Sequence, residues 1–223
     1  RLGNVKKNIG YNREGRGFLL DFSLEINYHK HYINRYAFLF NEYIGNKYVY
    51  LPELSLRHTG QKTFQFDNSH KTIALYLGGE NKEFRKYPDE YAVQLLRLLN
   101  RQGYNLLLIG DENDNIKHTQ YAEEARIDHL INLTARTTIE GFINTIANVD
   151  LIITIDSSAL HIAAAVKTPF IALMGLSTSP TSTILPKVPL GRILKIENNL
   201  IREEDYIRNI TPDLILKTIS ELI

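Results

Sequence analysis

The sequence predicts an α/β fold built on a doubly wound, Rossmann-like parallel sheet. From Lys71 onward, strand-length apolar runs alternate with amphipathic helical segments, which is typical of a parallel sheet covered by helices on both faces. Helix start and stop signals separate these runs. Hydrophobic residues make up 43% of the 223 residues and charged residues 23%, as in an ordinary globular protein.

Five strands are predicted to share this sheet. They lie near residues 73–77, 105–109, 130–133, 151–155 and 170–174. Each is a short apolar run, and the second and fifth end at Gly110 and Gly175.

Four helices are predicted between these strands, beginning near Pro88, Asn115, Thr137 and Ala159. Pro88 suits a first helical turn, where its missing N–H costs nothing, and Gly103 is a suitable stop. Thr137 and Glu140 are spaced as a capping box. The helix they open carries one apolar stripe: Ile139, Phe142, Ile143, Ile146 and Ala147.

The first sixty residues are predicted to be a remnant of a second domain with its linker, and residues 61–223 the main domain. A strand at Phe18–Phe22 and a helix at His31–Ile44 are too little for an independent core. The inward face of that helix is predicted to be Ile33, Tyr36, Ala37, Phe40, Tyr43 and Ile44. Because the chain begins with Arg1, we expect an N-terminal truncation, with apolar surface left exposed in this part.

Composition excludes several classes of protein. No apolar run approaches the roughly 20 residues needed to span a bilayer. With no Cys, neither disulfides nor thiolate metal sites can form. A net charge of +1 argues against a general nucleic-acid binder. The histidines lack metal-ligand spacing, so no metal site is predicted, and a cytoplasmic location is expected.

The turn Asp156-Ser157-Ser158 is the strongest candidate site. It joins a buried strand to a helix of small residues beginning at Ala159. A helix N-terminus offers unpaired N–H groups and partial positive charge, which bind phosphate or diphosphate. In an open α/β sheet this turn also lies at the ligand crevice. On spacing alone, a simple N-cap and an unrelated His161 explain the same residues.

Further candidates lie on the loops that follow the other strands. Arg85 and Lys86 could neutralise a diphosphate, or could be a solvated pair ahead of a helix. Glu112 and Asp114 could accept hydrogen bonds from ribose hydroxyls, or could belong to an ordinary acidic loop. Gly79 and Met174 complete the predicted contacts with the diphosphate and with the ribose or base, respectively.

Several segments together resemble one known family. Asp156–Ala165 reads DSSALHIAAA and Thr168–Gly175 reads TPFIALMG. They closely resemble the D-S/T-G-x-x-H-x-A-A-A and T-P-x-x-A-L-F-G signature of the heptosyltransferases, glycosyltransferase family nine. Gly78–Pro88 is similar to the family's G-A/G to K-R-W-P loop, and Asn132-Leu133-Thr134 to its N-L-x-G segment. The resemblance covers most of the chain.

The resemblance implies a GT-B glycosyltransferase, with this chain holding its C-terminal, donor-binding half. It implies transfer of a heptose or related sugar, with ADP-heptose as the expected donor, to a lipopolysaccharide core acceptor with inversion. No cofactor or metal is expected. Peripheral association with the inner membrane is expected. Ser158 replaces the family's usual Gly and Arg85 its usual Lys. No residue here matches the family's catalytic Asp, so the general base is expected outside this chain.

Two other functions remain open on sequence grounds. The chain could bind a nucleotide-sugar without turnover, because the region of the base is missing. It could also be a GT-B-like epimerase, although Leu160-His161-Ile162 stands where such enzymes carry paired acidic residues. Turnover by the isolated chain would exclude the binding-only function.

Overall fold

A computed structural model describes residues 5–27, 32–45, 55–78, 85–175, 185–186, 188–196 and 202–223. The chain divides into two compact units. Unit 1 comprises Arg1–Leu54 with Thr178–Leu185, and unit 2 comprises Ser55–Ser177 with Pro186–Ile223. Leu56 N–H donates to the Ala165 carbonyl at 3.2 Å, which ties the start of unit 2 to its own helices. The division predicted at residue 60 stays a prediction.

Unit 2 contains a six-stranded parallel sheet, which confirms the predicted fold class. Its strands are β3 (Thr72–Tyr76), β4 (Asn105–Leu108), β5 (Leu130–Asn132), β6 (Leu151–Ile155), β7 (Phe170–Met174) and β8 (Gly191–Lys195). They lie in the order β5-β4-β3-β6-β7-β8, and every neighbouring pair is parallel. The first five occupy the five predicted positions, and β8 was not predicted.

The core of unit 2 is formed by its four central strands, all of whose residues are buried. Such uniformly apolar strands are expected where helices cover both faces of a sheet. The helices are α2 (Asp89–Arg101), α3 (Asn115–Ala125), α4 (Ile139–Ala147), α5 (Ser158–Val166) and α6 (Pro212–Ile219). Short 3-10 helices span Glu112–Asp114 and Glu203–Asn209.

The order of the strands places a topological switch point between β3 and β6. From β3 the chain moves outward to β4 and β5, and then returns to pair β6 with the opposite edge of β3. Ligands of open α/β sheets bind in the crevice that forms at such a point, beyond the carboxyl ends of the strands. Gly78 follows the carboxyl end of β3, and Asp156 follows the carboxyl end of β6.

Two local predictions in unit 2 were wrong. Thr138, not Thr137, caps α4, with its side chain accepting from Gly141 N–H at 3.1 Å. Ile139 therefore stands on the first turn with 82% of its surface exposed instead of facing the core. Ile139 is the first residue of α4 and lies more than one turn ahead of the residues that are buried, Asn144, Thr145 and Ile146.

Unit 1 contains two short parallel strands, β1 (Ile9–Asn12) and β2 (Phe22–Glu25), and the helix α1 (Tyr32–Ile44). The predicted strand at Phe18–Phe22 was wrong. A 3-10 helix spans Arg16–Leu19, and Phe18 is 85% exposed. Gly15, at φ 72°, turns the chain ahead of it, a conformation that an extended strand excludes.

The predicted helix in unit 1 is confirmed, but its predicted inward face is not. Tyr36, Phe40 and Tyr43 are exposed large apolar side chains, whereas Leu39 is buried. The exposed apolar surface predicted for this part of the chain is therefore present. Within the described residues, none of the helices has both the length and the apolar character needed to cross a bilayer.

Candidate functional site

The turn between β6 and α5 is held by a chain of hydroxyl groups. Ser157 is the N-cap of α5, and its Oγ accepts from Ala159 N–H at 3.2 Å. The same Oγ lies 3.0 Å from Oγ1 of Thr154, which is fully buried in β6 and donates to the Ile155 carbonyl. One predicted phosphate donor, Ala159 N–H, therefore already has a partner, with which a phosphate oxygen would compete.

Arg85 and Asp156 meet at the switch point. Arg85 Nη1 lies 3.8 Å from Asp156 Oδ2, and the two side chains are 19% and 15% exposed. Two residues after Arg85, Tyr87 anchors the segment, since its N–H donates to the Leu77 carbonyl and its buried hydroxyl donates to the Ile210 carbonyl. The backbone that carries this cation is thus anchored beside the turn that opens α5.

Lys86 points toward a different carboxylate. Its Nζ lies 3.8 Å from Oδ1 of Asp89, in the first turn of α2. Asp89 also accepts from Lys117 Nζ at 2.7 Å and from the Tyr121 hydroxyl. Burial acts to raise the pKa of Asp89, but the hydrogen bonds from Lys117 and Tyr121 and the charges of both lysines outweigh it and lower that pKa. Lys86 therefore belongs to a network joining α2 to α3.

The acidic turn after β4 is a tightly packed structural element. Asp111 caps the 3-10 helix, and Asp114, only 5% exposed, accepts from Asp111 N–H at 3.3 Å. The Asp114 carboxylate rests against Gly78 and Gly110, where an added Cβ would lie 1.8 Å and 2.7 Å from its oxygens. Glycine is required at both positions because the carboxylate fills the space of a side chain.

The remaining predicted residues differ in accessibility. Ser158 is exposed at the start of α5, and His161 is half-buried in its first turn. Glu112 is exposed. Met174 has no exposed surface, and Asp114 is only 5% exposed. Neither side chain is therefore accessible to a ligand in this structure. Gly79 lies outside the described residues, and all of these ligand contacts stay predictions.

Sequence reasoning missed Thr154 and the buried pair His118 and Thr134. Thr154 is the only hydroxyl residue in the run LIITI, which is the signal that could have identified it. His118 Nδ1 lies 2.7 Å from Thr134 Oγ1, and both residues are fully buried. Burial, followed by the charge of Lys86, lowers the pKa of His118 from 6.5 to about 4, although Asp111 opposes this. The imidazole is therefore neutral at pH 7.

Unit 1 has a groove of its own, of about 590 Å³. Its apolar lining comes from Ile9, Leu19, Leu20, Ile26, Leu39 and Phe40. Arg13, Arg16 and Arg35 also line it, and none of the described lining residues is acidic. Glu14 pairs with Arg13 at 3.4 Å and with Arg16 at 3.0 Å, so part of the positive charge is balanced. In the part of the chain that the structure describes, no group of three or more His, Cys, Asp or Glu could hold a metal ion.

Comparison with known proteins gives a consistent result. The family model for glycosyltransferase family 9 (heptosyltransferase) matches residues 2–204. Lipooligosaccharide heptosyltransferase 2 of Haemophilus influenzae is 31% identical over 163 residues, which cover 68% of this chain and 47% of that protein. Lipopolysaccharide heptosyltransferase 2 of Escherichia coli is 24% identical over 172 residues, covering 72% and 49%. This chain spans about half the length of these curated relatives.

Solved structures agree on the fold. E. coli ADP-heptose lps heptosyltransferase II superposes with a TM-score of 0.79 at 22% identity, over 98% of this chain and 70% of that one. E. coli heptosyltransferase WaaC with ADP-2-deoxy-2-fluoro heptose superposes with a TM-score of 0.62 at 15% identity, over 92% and 60%. At these identities the likeness concerns the fold alone.

Proposed function

Because this chain belongs to glycosyltransferase family 9, the heptosyltransferases, we propose that unit 2 is the donor-binding domain of an enzyme that uses ADP-heptose. The observation that carries the proposal is the Arg85–Asp156 pair beside the N-terminus of α5, at the switch point of the sheet. A relative solved with ADP-2-deoxy-2-fluoro heptose supports this choice of donor. The lipopolysaccharide heptosyltransferases among the curated relatives support a lipopolysaccharide core acceptor.

The chemistry proposed for this site is stabilisation of a leaving group. As the bond between the sugar and the diphosphate breaks, negative charge grows on the diphosphate oxygens. Arg85 and the first N–H groups of α5 are donors that can bind that charge, once the phosphate has displaced the Ser157 hydroxyl from Ala159 N–H. An acceptor hydroxyl would displace the diphosphate directly from the opposite face of the sugar, which inverts the anomeric carbon. We assign the general base to no residue of this chain.

For the acceptor, we propose the groove of unit 1. Its arginines suit an anionic sugar acid or phosphate, and its apolar floor suits the less polar faces of a glycolipid. Peripheral contact of the enzyme with the inner membrane would follow from such an acceptor and is part of the same proposal.

The second candidate function is nucleotide-sugar binding without turnover. It is favoured by one fact, that the chain spans about half the length of its curated relatives. The two functions differ in a single measurement. Incubation with ADP-heptose and a heptose-free lipopolysaccharide core, followed by mass spectrometry, would show a heptose added to the core only if the chain turns over.

Calorimetry with ADP and ADP-heptose tests the donor site directly. Replacing Arg85 with Ala should weaken binding of both ligands by roughly 1.5–3 kcal/mol, or about one to two decades in Kd, because a charged hydrogen bond is lost. Arg101→Ala is the matched control. Arg101 is exposed at the C-terminal end of α2, where the amino ends of the strands lie, away from the proposed site. Equal affinity in the Arg85→Ala variant and the parent would show that the cation is wrongly assigned.

The proposed site needs no metal ion, because Arg85 and the helix N–H groups supply the positive charge. We therefore expect ADP to bind with the same Kd in a chelating buffer as in one with added Mg²⁺. A large gain of affinity on adding Mg²⁺, reproduced in the Arg101→Ala control, would instead assign the charge compensation to a metal.

A further inference from the structure

The role of Asp156 poses a problem of charge. A carboxylate and a diphosphate repel each other, yet Asp156 lies at the turn where the diphosphate is proposed to bind. The same turn is rigid, since it follows a fully buried strand and precedes the Ser157 cap. The backbone of Asp156 therefore stays in place when an anion arrives.

Arg85 resolves this conflict. Its guanidinium has five N–H donors arranged in a planar fork, more than one carboxylate can accept. One edge of the fork, at Nη1, faces Asp156 at 3.8 Å. The same side chain can therefore bind a carboxylate on one edge and a phosphate oxygen on another.

We propose that Asp156 is a positioning residue, which holds the Arg85 guanidinium in the orientation that receives the diphosphate, and does not bind the phosphate itself. This inference rests on the proposed donor site. Arg85 has a long side chain with many rotamers. The backbone of Asp156, by contrast, is held between β6 and α5, so its short side chain can select one of those rotamers before the ligand arrives.

The positioning role has a consequence that direct binding lacks. If Asp156 acts only through Arg85, its removal matters only while Arg85 is present. The two residues must then be coupled energetically in binding ADP. A direct contact of Asp156 with the ligand, or a structural effect on the turn, would weaken binding whether or not Arg85 is there.

A double-mutant cycle measured by calorimetry with ADP tests this inference. The chains are the parent, Asp156→Asn, Arg85→Ala and the double variant, and thermal unfolding checks that each is folded. We expect Asp156→Asn to weaken ADP binding by about tenfold in the parent and to have no effect in the Arg85→Ala background. Arg85→Lys keeps the charge, and Asp156→Asn should weaken binding in that background also.

Asp128→Asn is the matched control, because Asp128 is exposed at the amino-terminal edge of the sheet, just ahead of β5. Tighter or unchanged binding by Asp156→Asn would overturn the inference, since Asp156 would then only repel the ligand or play no part. An equal loss in both backgrounds would also overturn it. If the folded parent does not bind ADP at all, the proposed donor site itself fails, which is a separate outcome.

Discussion

At the scale of single residues, His118 is a buried base whose protonation opposes folding. Its pKa is about 4 in the folded protein, below the ordinary 6.5, so the unfolded chain binds the proton more readily at intermediate pH. Stability supported by the neutral imidazole is complete above pH 6.5 and is lost as the pH falls toward 4. The loss should reach about 3 kcal/mol at most.

Thermal unfolding of the parent and of His118→Gln from pH 7 to pH 4 checks this expectation. The glutamine variant does not titrate in this range, so its stability should depend less steeply on pH than that of the parent. Lys86→Met should raise the pKa of His118, because it removes a nearby positive charge. Parallel curves for the parent and His118→Gln would show that other groups cause the acid sensitivity.

The Ser157 side chain caps α5 and also occupies the Ala159 N–H, which is a predicted phosphate donor. Ser157→Ala should lower the free energy of unfolding by about 1 kcal/mol, because α5 loses its N-cap. The same change releases the Ala159 N–H, so ADP affinity should be retained while stability falls. Ser158→Ala, at the exposed neighbouring position, is the control for stability. Chemical denaturation and calorimetry on the same samples separate the two effects, and an equal loss in both variants would contradict the capping role.

At the scale of elements, the glycines that follow β3 and β4 pack against the carboxylate of Asp114. Gly78→Ala should destabilise unit 2 by roughly 1–3 kcal/mol, because the new Cβ would lie 1.8 Å from Asp114 Oδ1 and the Glu112–Asp114 turn must move. Gly141→Ala is the matched control. In α4 its Cβ would meet nothing closer than 3.4 Å, so it should leave stability unchanged or raise it. If the denaturant midpoints of the two variants shift equally, the contact with Asp114 is not the reason that position 78 requires glycine.

The elements of unit 2 were readily predicted, because a strand buried on both faces is a short, uniformly apolar run. β3, β4, β6 and β7 all have this form. The edge strand β8 is half-exposed, with charged residues at Arg192 and Lys195, so its sequence lacks that signal. In unit 1, Phe18 and Leu19 resemble a strand, but Gly15, at φ 72°, turns the chain into a 3-10 helix there.

The candidate site was only partly predictable, for a different reason. The turn at Asp156 and its cap at Ser157 are local features that adjacent residues encode. The ion pair between Arg85 and Asp156 joins positions that are far apart in the sequence, and their proximity depends on the order of β3 and β6 in the sheet. Likewise, nothing in the local sequence shows that Asp114 packs against Gly78.

At the scale of the whole molecule, the two units differ in how well their backbone is protected. The strands of unit 1 have four residues each, and none of those residues is buried. A two-stranded sheet of this length is marginal in water. We expect hydrogen exchange followed by mass spectrometry to show faster exchange in β1, β2 and α1 than in β3, β4 and β6. Equal protection of the two sets of amides would contradict this expectation.

The central position of β3 has a consequence for the newly made protein. Ribosomes synthesise β3 before any other strand of the large sheet, yet one of its edges pairs only with β6, which is made after β4 and β5. Until residues 151–155 have left the ribosome, an apolar strand keeps a row of backbone groups open to wrong partners. β3 is therefore made first but gains its second neighbouring strand late. The speed of translation between β3 and β6 sets how long this nascent chain is exposed to aggregation.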